Sequence, residues 1–313
     1  MPNYPAFIVD AFTNTKFAGN QAAVVLSEKK LSDEEYQKIA AEFNLSETAF
    51  PIPIDKPGDF KKASKFSLRW FTPTVEVVLC GHATLATSHV LFKEIGNVND
   101  TIYYETLSGE LVVKKSDILK DALTMNFPQY HEIVDLKSKE GSNIFPKETC
   151  PEFIDDILKT IAPNGYVHVS LAAKKLVIVL DSTTTREELL QVRAPADALI
   201  KAHPEGNLVR GAIVTFAPKD PAAQGFIGAN NKPYDFVSRY FAPWAGIPED
   251  PATGAAHCVL GPFWAKMLKK PGPFYAFQCY PKRGAEFHLE LLPENRINLT
   301  GHATTIVRGN IEI

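Results

Sequence analysis

The sequence of 313 residues contains little cysteine, with four thiols at positions 80, 150, 258 and 279. These thiols are too few and too irregularly spaced for a disulfide framework, and no CxxC pair suggests a zinc site. Reduced thiols are typical of intracellular proteins, so we expect a cytoplasmic protein.

Long apolar runs and an excess of basic charge are also absent. No stretch approaches the roughly 18 consecutive apolar residues that indicate a membrane helix, and residues 1–10 lack the basic and apolar regions of a secretory leader. The formal net charge is −3, with Lys and Arg scattered along the chain, which argues against nucleic acid or a membrane surface as a partner.

The motifs that bind common cofactors are missing as well. The chain has no GxxxxGK phosphate loop, no GxGxxG after a strand and no HExxH. His82, His89 and His257 are not spaced as metal ligands. We therefore predict no cofactor and no metal.

What the sequence does contain is a long internal repeat. The pattern Arg-aromatic-Phe-x-Pro occurs at residues 69–73 and again at 239–243, each time shortly before a Gly that opens a small-residue apolar run. A strand and a capping box precede each copy, at residues 32–35 and 185–188, and a turn and strand follow each copy. Matched features in one order predict a duplicated unit, and a period this long indicates two pseudo-equivalent domains.

The repeat predicts the fold class. The runs that begin at Gly81 and Gly254 are apolar almost all round, which indicates helices buried inside a sheet. We predict an α+β fold of two pseudo-symmetric domains, each a mixed β-barrel around a central helix. The predicted domains are residues 1–127 and 128–313, and the last strand, residues 303–307, can cross back to the first domain.

The two Gly-initiated helices predict an anion site. A helix N-terminus offers unpaired N–H groups and partial positive charge, and Gly lets a ligand approach that backbone closely. Two such termini, facing each other across a domain cleft, would hold one carboxylate from both sides. The alternative is that each Gly only allows tight packing of helix against sheet.

Three side chains are candidates for chemistry. Glu47 follows a helix and opens an apolar strand, so it is either a surface strand end or a placed acid or base; its nearest counterpart in the repeat is Arg210. His82 lies in the first turn of a helix, where the dipole favours the neutral imidazole, although a lone His is often structural. Asp250 precedes Gly254 by four residues and is either a substrate ligand or a helix cap.

A two-thiol racemase is a further hypothesis, and the spacing argues against it. Cys80 precedes its Gly, whereas Cys258 follows its Gly by four residues, so the two are not equivalent in the repeat. We therefore reject this thiol pair.

Several motifs together resemble the PhzF-like family, the phenazine-biosynthesis group of isomerase-like proteins with a diaminopimelate-epimerase fold. The resemblance extends from residue 7 to residue 309. The motifs are Val9-Asp10-Ala11-Phe12-Thr13, Phe17-Ala18-Gly19-Asn20, Leu45-Ser46-Glu47-Thr48-Ala49-Phe50, Arg69-Trp70-Phe71-Thr72-Pro73, Cys80-Gly81-His82-Ala83-Thr84-Leu85-Ala86 and Glu249-Asp250-Pro251-Ala252-Thr253-Gly254.

The resemblance implies two barrel domains with a site in the cleft between them, cofactor-free isomerisation by proton shuttling, and a homodimer. It implies that Glu47 is the acid/base. Around the substrate it places the side chains of Asn20, His82 and Asp250, and around its carboxylate the backbone of Gly81, His82, Gly254 and Ala255.

One departure leaves the substrate open. Many relatives carry Ser where this chain has Ala255, which removes a hydroxyl but keeps the backbone N–H. We infer only a small carboxylate-bearing substrate. Two alternatives to an isomerase remain: a binding protein on the same fold that has lost turnover, and, less favoured, a thiol racemase.

Overall fold

The computed structural model describes residues 3–138, 144–228 and 231–313. The chain divides into two compact units. Unit 1 is Met1–Phe127 with Asn298–Ile313, and unit 2 is Pro128–Ile297. Residues 298–313 group with the first part of the chain, and the sequence analysis allows the last strand, residues 303–307, to cross back in this way.

Within the described residues the α-helices are α1 (Asp33–Phe43), α2 (Gly81–His89), α3 (Phe153–Ile161), α4 (Arg186–Gln191), α5 (Ala196–Ala202) and α6 (Gly254–Met267). A π-helical turn, Val90–Glu94, continues α2, and a 3-10 turn, Pro243–Ala245, precedes α6. None of these helices combines the length and apolar character needed to cross a membrane.

The strands of the first part of the chain are β1 (Asn3–Ala11), β2 (Asn20–Val25), β3 (Glu47–Pro53), β4 (Lys65–Phe71), β5 (Glu76–Val77), β6 (Thr101–Thr106), β7 (Gly109–Lys115) and β8 (Leu123–Pro128). Those that follow are β9 (Ile133–Ser138), β10 (His168–Ala172), β11 (Lys175–Val179), β12 (Gly211–Phe216), β13 (Phe236–Ala242), β14 (Ile247–Asp250), β15 (Phe274–Gln278), β16 (Ala285–Leu292), β17 (Arg296–Gly301) and β18 (Ala303–Glu312).

The strand pairings are the same in the two units. In unit 1, β1–β2 is antiparallel, β2–β3 parallel, β3–β4 and β4–β5 antiparallel, β4–β6 parallel and β6–β7 antiparallel. In unit 2, β10 to β16 repeat this series in the same order. The duplication read from the sequence is therefore present in the fold, which is α+β with mixed strand pairing. Closure of each sheet into a barrel stays a prediction.

Both predicted capping boxes are confirmed. The Ser32 hydroxyl accepts from the N–H of Glu35, whose carboxylate accepts from the N–H of Ser32. Thr185 and Glu188 make the same reciprocal pair at the start of α4. These side chains satisfy N–H groups that the helix itself leaves without acceptors.

The helices α2 and α6 are buried, as their apolar sequences predict. Residues 81–88 of α2 are all buried, and nine residues of α6 are buried, including Gly254 and Trp264. Both helices begin at the Gly that opens the predicted apolar run, Gly81 and Gly254. Each helix follows a short strand that pairs with the strand carrying the repeated Arg.

The repeated Arg anchors that short strand in each unit. Arg69 donates two hydrogen bonds to Glu76 on β5, at 2.6 and 2.7 Å. Arg239 makes the same bidentate pair with Glu249 on β14, at 2.7 and 2.8 Å. The repeated motif therefore has a structural role, which is to fix the strand that leads to each buried helix.

Candidate functional site

Asn20 and Glu47 lie at the same end of neighbouring strands. Asn20 is the first residue of β2 and Glu47 the first of β3, and these strands pair in parallel with Ala22 opposite Glu47. Asn20 is 1% exposed and Glu47 6% exposed. Because a buried carboxylate is rare without a specific reason, the position of Glu47 marks a candidate site.

His82 contacts both of these residues from the first turn of α2. The Asn20 amide nitrogen lies 3.2 Å from His82 Nδ1, and the Ser46 hydroxyl donates to Asn20 Oδ1 at 3.3 Å. Cys80 Sγ lies 3.4 Å from the same Nδ1. On the other side of the ring, His82 Nε2 lies 3.0 Å from Glu47 Oε2. Because Nε2 faces a carboxylate oxygen, a proton on Nε2 is favoured.

The close pair is not a completed hydrogen bond. Glu47 Oε2 and His82 Nε2 are within ion-pair distance, yet their alignment is too poor for a hydrogen bond, and neither atom has another partner within the described parts of the chain. Buried polar atoms nearly always have partners, and exceptions often mark functional sites. These two atoms therefore mark a candidate functional site.

Charge in this cluster favours the protonated imidazole. Burial lowers the pKa of His82, but the neighbouring Cys80 and Glu47 raise it more, so the pKa lies well above 6.5. Burial, followed by the charge of Glu47, raises the pKa of Cys80 to about 11. The thiol is therefore neutral near pH 7, which leaves the Glu47 carboxylate as the charge that stabilises imidazolium.

The neighbouring Glu47 carboxylate argues against the neutral His82 expected from the helix dipole. The helix dipole alone disfavours imidazolium by roughly 0.3–1 kcal/mol at an exposed helix end. A carboxylate oxygen 3.0 Å from the ring nitrogen in a buried setting acts in the opposite sense and is stronger. Sequence spacing could not show this contact, because Glu47 and His82 belong to different elements.

In unit 2, Asp250 ends β14 and belongs to a separate hydrogen-bonded network. The Thr253 hydroxyl donates to Asp250 Oδ2, and the Gln278 side-chain amide donates to the Asp250 carbonyl at 2.5 Å. Gly254 and Ala255 follow as the first turn of α6. Asp250 is 7% exposed, so its carboxylate is buried and hydrogen-bonded within its own loop rather than exposed at the surface.

The starts of α2 and α6 share one property that distinguishes them from α1 and α4. Their N-cap residues, Cys80 and Thr253, make no side-chain capping hydrogen bond within the described residues, whereas Ser32 and Thr185 do; α3 and α5 also lack such a cap. The first-turn N–H groups of these two helices are therefore not satisfied by a side-chain cap. Such N–H groups, with the helix dipole behind them, suit an anion.

A surface cavity of about 900 Å³ in unit 1 lies away from this chemistry. Its walls include Tyr4, Leu26, Phe60 and Ile95, whereas Glu47 does not line it. Cavity size is a weaker guide here than the buried, unsatisfied polar atoms, because reaction chemistry requires groups that can exchange protons.

Sequence reasoning missed three members of these networks. The sequence gives no sign that the Cys80 thiol contacts His82. Thr253 and Gln278 were not singled out, although both bond the Asp250 loop. The repeat contains one available signal, since Cys80 and Thr253 both immediately precede the Gly that opens a buried helix.

Comparison with known proteins identifies the family. The chain matches the family described as "Phenazine biosynthesis-like protein" over residues 9–309. It is 39% identical over 310 residues to phenazine biosynthesis-like domain-containing protein 1 of Mus musculus, covering 98% of both chains. It is 35% identical over 305 residues to an uncharacterized isomerase of Pseudomonas aeruginosa, covering 97% of both chains.

A solved structure supports the same assignment. A protein of the PhzF family from Enterococcus faecalis has 33% identity and a TM-score of 0.76, with both chains covered completely. The resemblance inferred from the motifs is thereby confirmed. This chain belongs to the phenazine biosynthesis-like, or PhzF, family.

Proposed function

We propose that this protein is a cofactor-independent isomerase that moves a proton on a small carboxylate-bearing substrate, with Glu47 as the acid/base. The observation that carries the proposal is the buried Glu47–His82 pair, whose facing atoms are 3.0 Å apart and lack other partners within the described chain. An isomerase is also the description of the Pseudomonas aeruginosa relative.

In the proposed reaction Glu47 moves one proton from one carbon of the substrate to another. The Glu47 carboxylate takes a proton from a carbon next to an activating group, and the electrons of that C–H bond move into the conjugated system. The protonated Glu47 then returns the proton to another carbon of the same molecule, so substrate and product have equal composition. The proton on His82 Nε2 stabilises negative charge beside Glu47 while the carboxylate is ionised.

The start of α2 supplies the proposed carboxylate site. Gly81 and His82 form its first turn, and Cys80 provides no side-chain cap, so the backbone N–H groups can bind an anion beside Glu47. The same argument applies to Gly254 and Ala255 at the start of α6. That one substrate uses both helix starts, together with Asn20 and Asp250, stays a prediction from the sequence.

The test is incorporation of solvent deuterium. Wild-type protein incubated in D₂O with a panel of small carboxylates, saturated and unsaturated, should exchange a carbon-bound proton in at least one of them, as observed by NMR. Glu47→Gln keeps the shape of the side chain and removes the titrating group, so exchange should fall by at least about 10²-fold.

The matched control is Glu42→Gln, the same substitution at an exposed position of α1. It should leave exchange unchanged. Exchange in Glu47→Gln at the wild-type rate would remove Glu47 from the mechanism. Binding of a carboxylate by wild-type protein without any exchange would instead favour the alternative of a binding protein that has lost turnover.

A further inference from the structure

We propose that Gln278 is a positioning residue that holds the Asp250 loop and the start of α6 in the geometry needed to bind the substrate carboxylate. The proposal rests on the proposed function, and it adds a residue that makes no contact with the acid/base pair. Gln278 ends β15 and is 1% exposed.

Three hydrogen bonds connect the Gln278 side chain to a single loop. Its Oε1 accepts from the backbone N–H of Thr253 at 2.8 Å, and its Nε2 donates to the Asp250 carbonyl at 2.5 Å and to the Thr253 hydroxyl at 3.1 Å. One buried amide therefore uses its acceptor and both of its donors on the segment between Asp250 and α6.

These bonds determine the hydrogen-bond partners of the Thr253 hydroxyl. Thr at an N-cap position usually accepts from an N–H of the first helical turn. Here that hydroxyl accepts from Gln278 and donates to the Asp250 carboxylate, so it does not cap α6. Gln278 thus fixes the Asp250 carboxylate through Thr253 and keeps the first-turn N–H groups of α6 uncapped for an anion.

The repeat shows that the fold does not require this arrangement. The equivalent strand of unit 1 is β6, which ends at Thr106. The Thr106 hydroxyl donates to the carbonyl of Gly109 at 2.6 Å, within its own hairpin. The three hydrogen bonds from Gln278 to the Asp250 loop are therefore specific to unit 2, where the loop carries a carboxylate.

Gln224 provides a matched control in the same unit. It is also buried and also makes three hydrogen bonds, in this case all to backbone: it accepts from the N–H of Asp220 and donates to the carbonyls of Ser182 and Thr184. Gln224→Met and Gln278→Met therefore remove similar bonds, but only Gln278→Met releases the loop before α6.

The experiment compares wild type, Gln278→Met, Gln278→Glu and Gln224→Met by amide hydrogen exchange and by substrate kinetics. In Gln278→Met the amides of residues 253–257 should exchange at least about tenfold faster than in wild type, because the Thr253 N–H loses its acceptor and the loop its anchor. KM for the carboxylate that wild type isomerises should rise about tenfold with kcat changed less than threefold, since binding rather than chemistry is affected.

The second variant and the control separate positioning from general stability. Gln278→Glu keeps nearly the same volume and loses both donated bonds, so it should reproduce the exchange and KM changes even if Gln278→Met folds poorly. Gln224→Met should lower the melting temperature without either change. Wild-type exchange at residues 253–257 in the Gln278 variants, or an equal effect in Gln224→Met, would overturn the proposal. Hydrogen exchange needs no turnover, so its outcome is independent of the proposed isomerase activity.

Discussion

Cys80 shows at the residue scale how burial decides which group is reactive. Its thiol lies beside the imidazole of His82, an arrangement that activates thiols in many enzymes. Here burial and the charge of Glu47 raise the pKa of Cys80 to about 11. The fraction present as thiolate at pH 7 is therefore on the order of 10⁻⁴, which is too small for efficient nucleophilic or proton-transfer chemistry.

This leads to a prediction about alkylation. Treatment of the folded protein with iodoacetamide at pH 7 should leave Cys80 unmodified and the deuterium exchange intact, because the thiol is both buried and neutral. Mass spectrometry of tryptic peptides would locate the label. Cys80→Ser should retain exchange within about tenfold. Rapid inactivation with a label on Cys80 would instead revive the thiol racemase.

At the scale of elements, α2 and α6 use equivalent positions in different ways. The Thr84 hydroxyl donates to the Cys80 carbonyl at 2.6 Å, and at the equivalent place in α6 His257 Nδ1 lies 2.9 Å from the Thr253 carbonyl. The His257 ring stacks on Phe287 with centroids 3.6 Å apart. Burial lowers the pKa of His257 to about 4, against the effect of its bond to Thr253, so this imidazole is neutral at physiological pH.

A neutral buried His257 makes stability depend on pH. Below about pH 6.5 the unfolded chain binds a proton at this residue, and the folded protein binds it only near pH 4. The free energy of unfolding is thus highest above pH 6.5 and falls as the pH drops from 6.5 to 4. Between pH 7 and pH 5 the contribution of His257 should be about 2 kcal/mol.

The measurement is urea denaturation of wild type and His257→Gln at both pH values. His89, whose pKa burial also lowers to about 4, is present in both proteins and cancels in the comparison. The variant should lose about 2 kcal/mol less than wild type on acidification. Equal losses would show that His257 does not contribute to the pH dependence.

At the scale of the whole molecule, the two repeated Arg residues offer a comparison between the units. Arg239 is 3% exposed and, besides Glu249, donates to the carbonyls of Leu189 and Val192 at 2.8 and 2.9 Å. Arg69 is 19% exposed and bonds Glu76 and the exposed Asp33. Equivalent residues therefore differ in how many buried groups depend on them.

Removal of each Arg should have unequal effects. Arg239→Met leaves a partly buried carboxylate and two carbonyls without their donor, so we expect a loss of about 3–5 kcal/mol in the free energy of unfolding. Arg69→Met should cost about 1–2 kcal/mol, because water reaches its partners. Urea denaturation measures both values, and a loss at Arg69 as large as that at Arg239 would contradict the argument.

Whether a feature could be predicted from the sequence depends on how far apart along the chain the interacting residues are. Capping boxes and all-apolar helices are local patterns, so the starts of α1, α4 and α6 were predicted correctly. The carboxylate beside His82 was not predicted, since Glu47 comes from another element. The proline-rich segment 128–164 is predicted to be a linker that contains a short helix at residues 151–161. The helix is present as α3, whereas β9, which pairs with β10, is not evident from the sequence; residues 139–143 of that segment lie outside the described residues. Gln278 was missed because only strand pairing brings it to the Asp250 loop.

The division of unit 1 between two distant segments has a consequence for synthesis. Strand β18 pairs with β1 from Asn3 opposite Glu312 to Ala11 opposite Ala303. The first strand to be synthesised therefore gains this partner only when the last strand has been synthesised. A chain emerging from the ribosome can complete unit 2, which is continuous, before unit 1 has its final strand. Until then β1 has an unpaired edge, and such edges invite association between nascent chains. Unit 1, whose first strands are translated earliest, is thus the unit that completes its fold last.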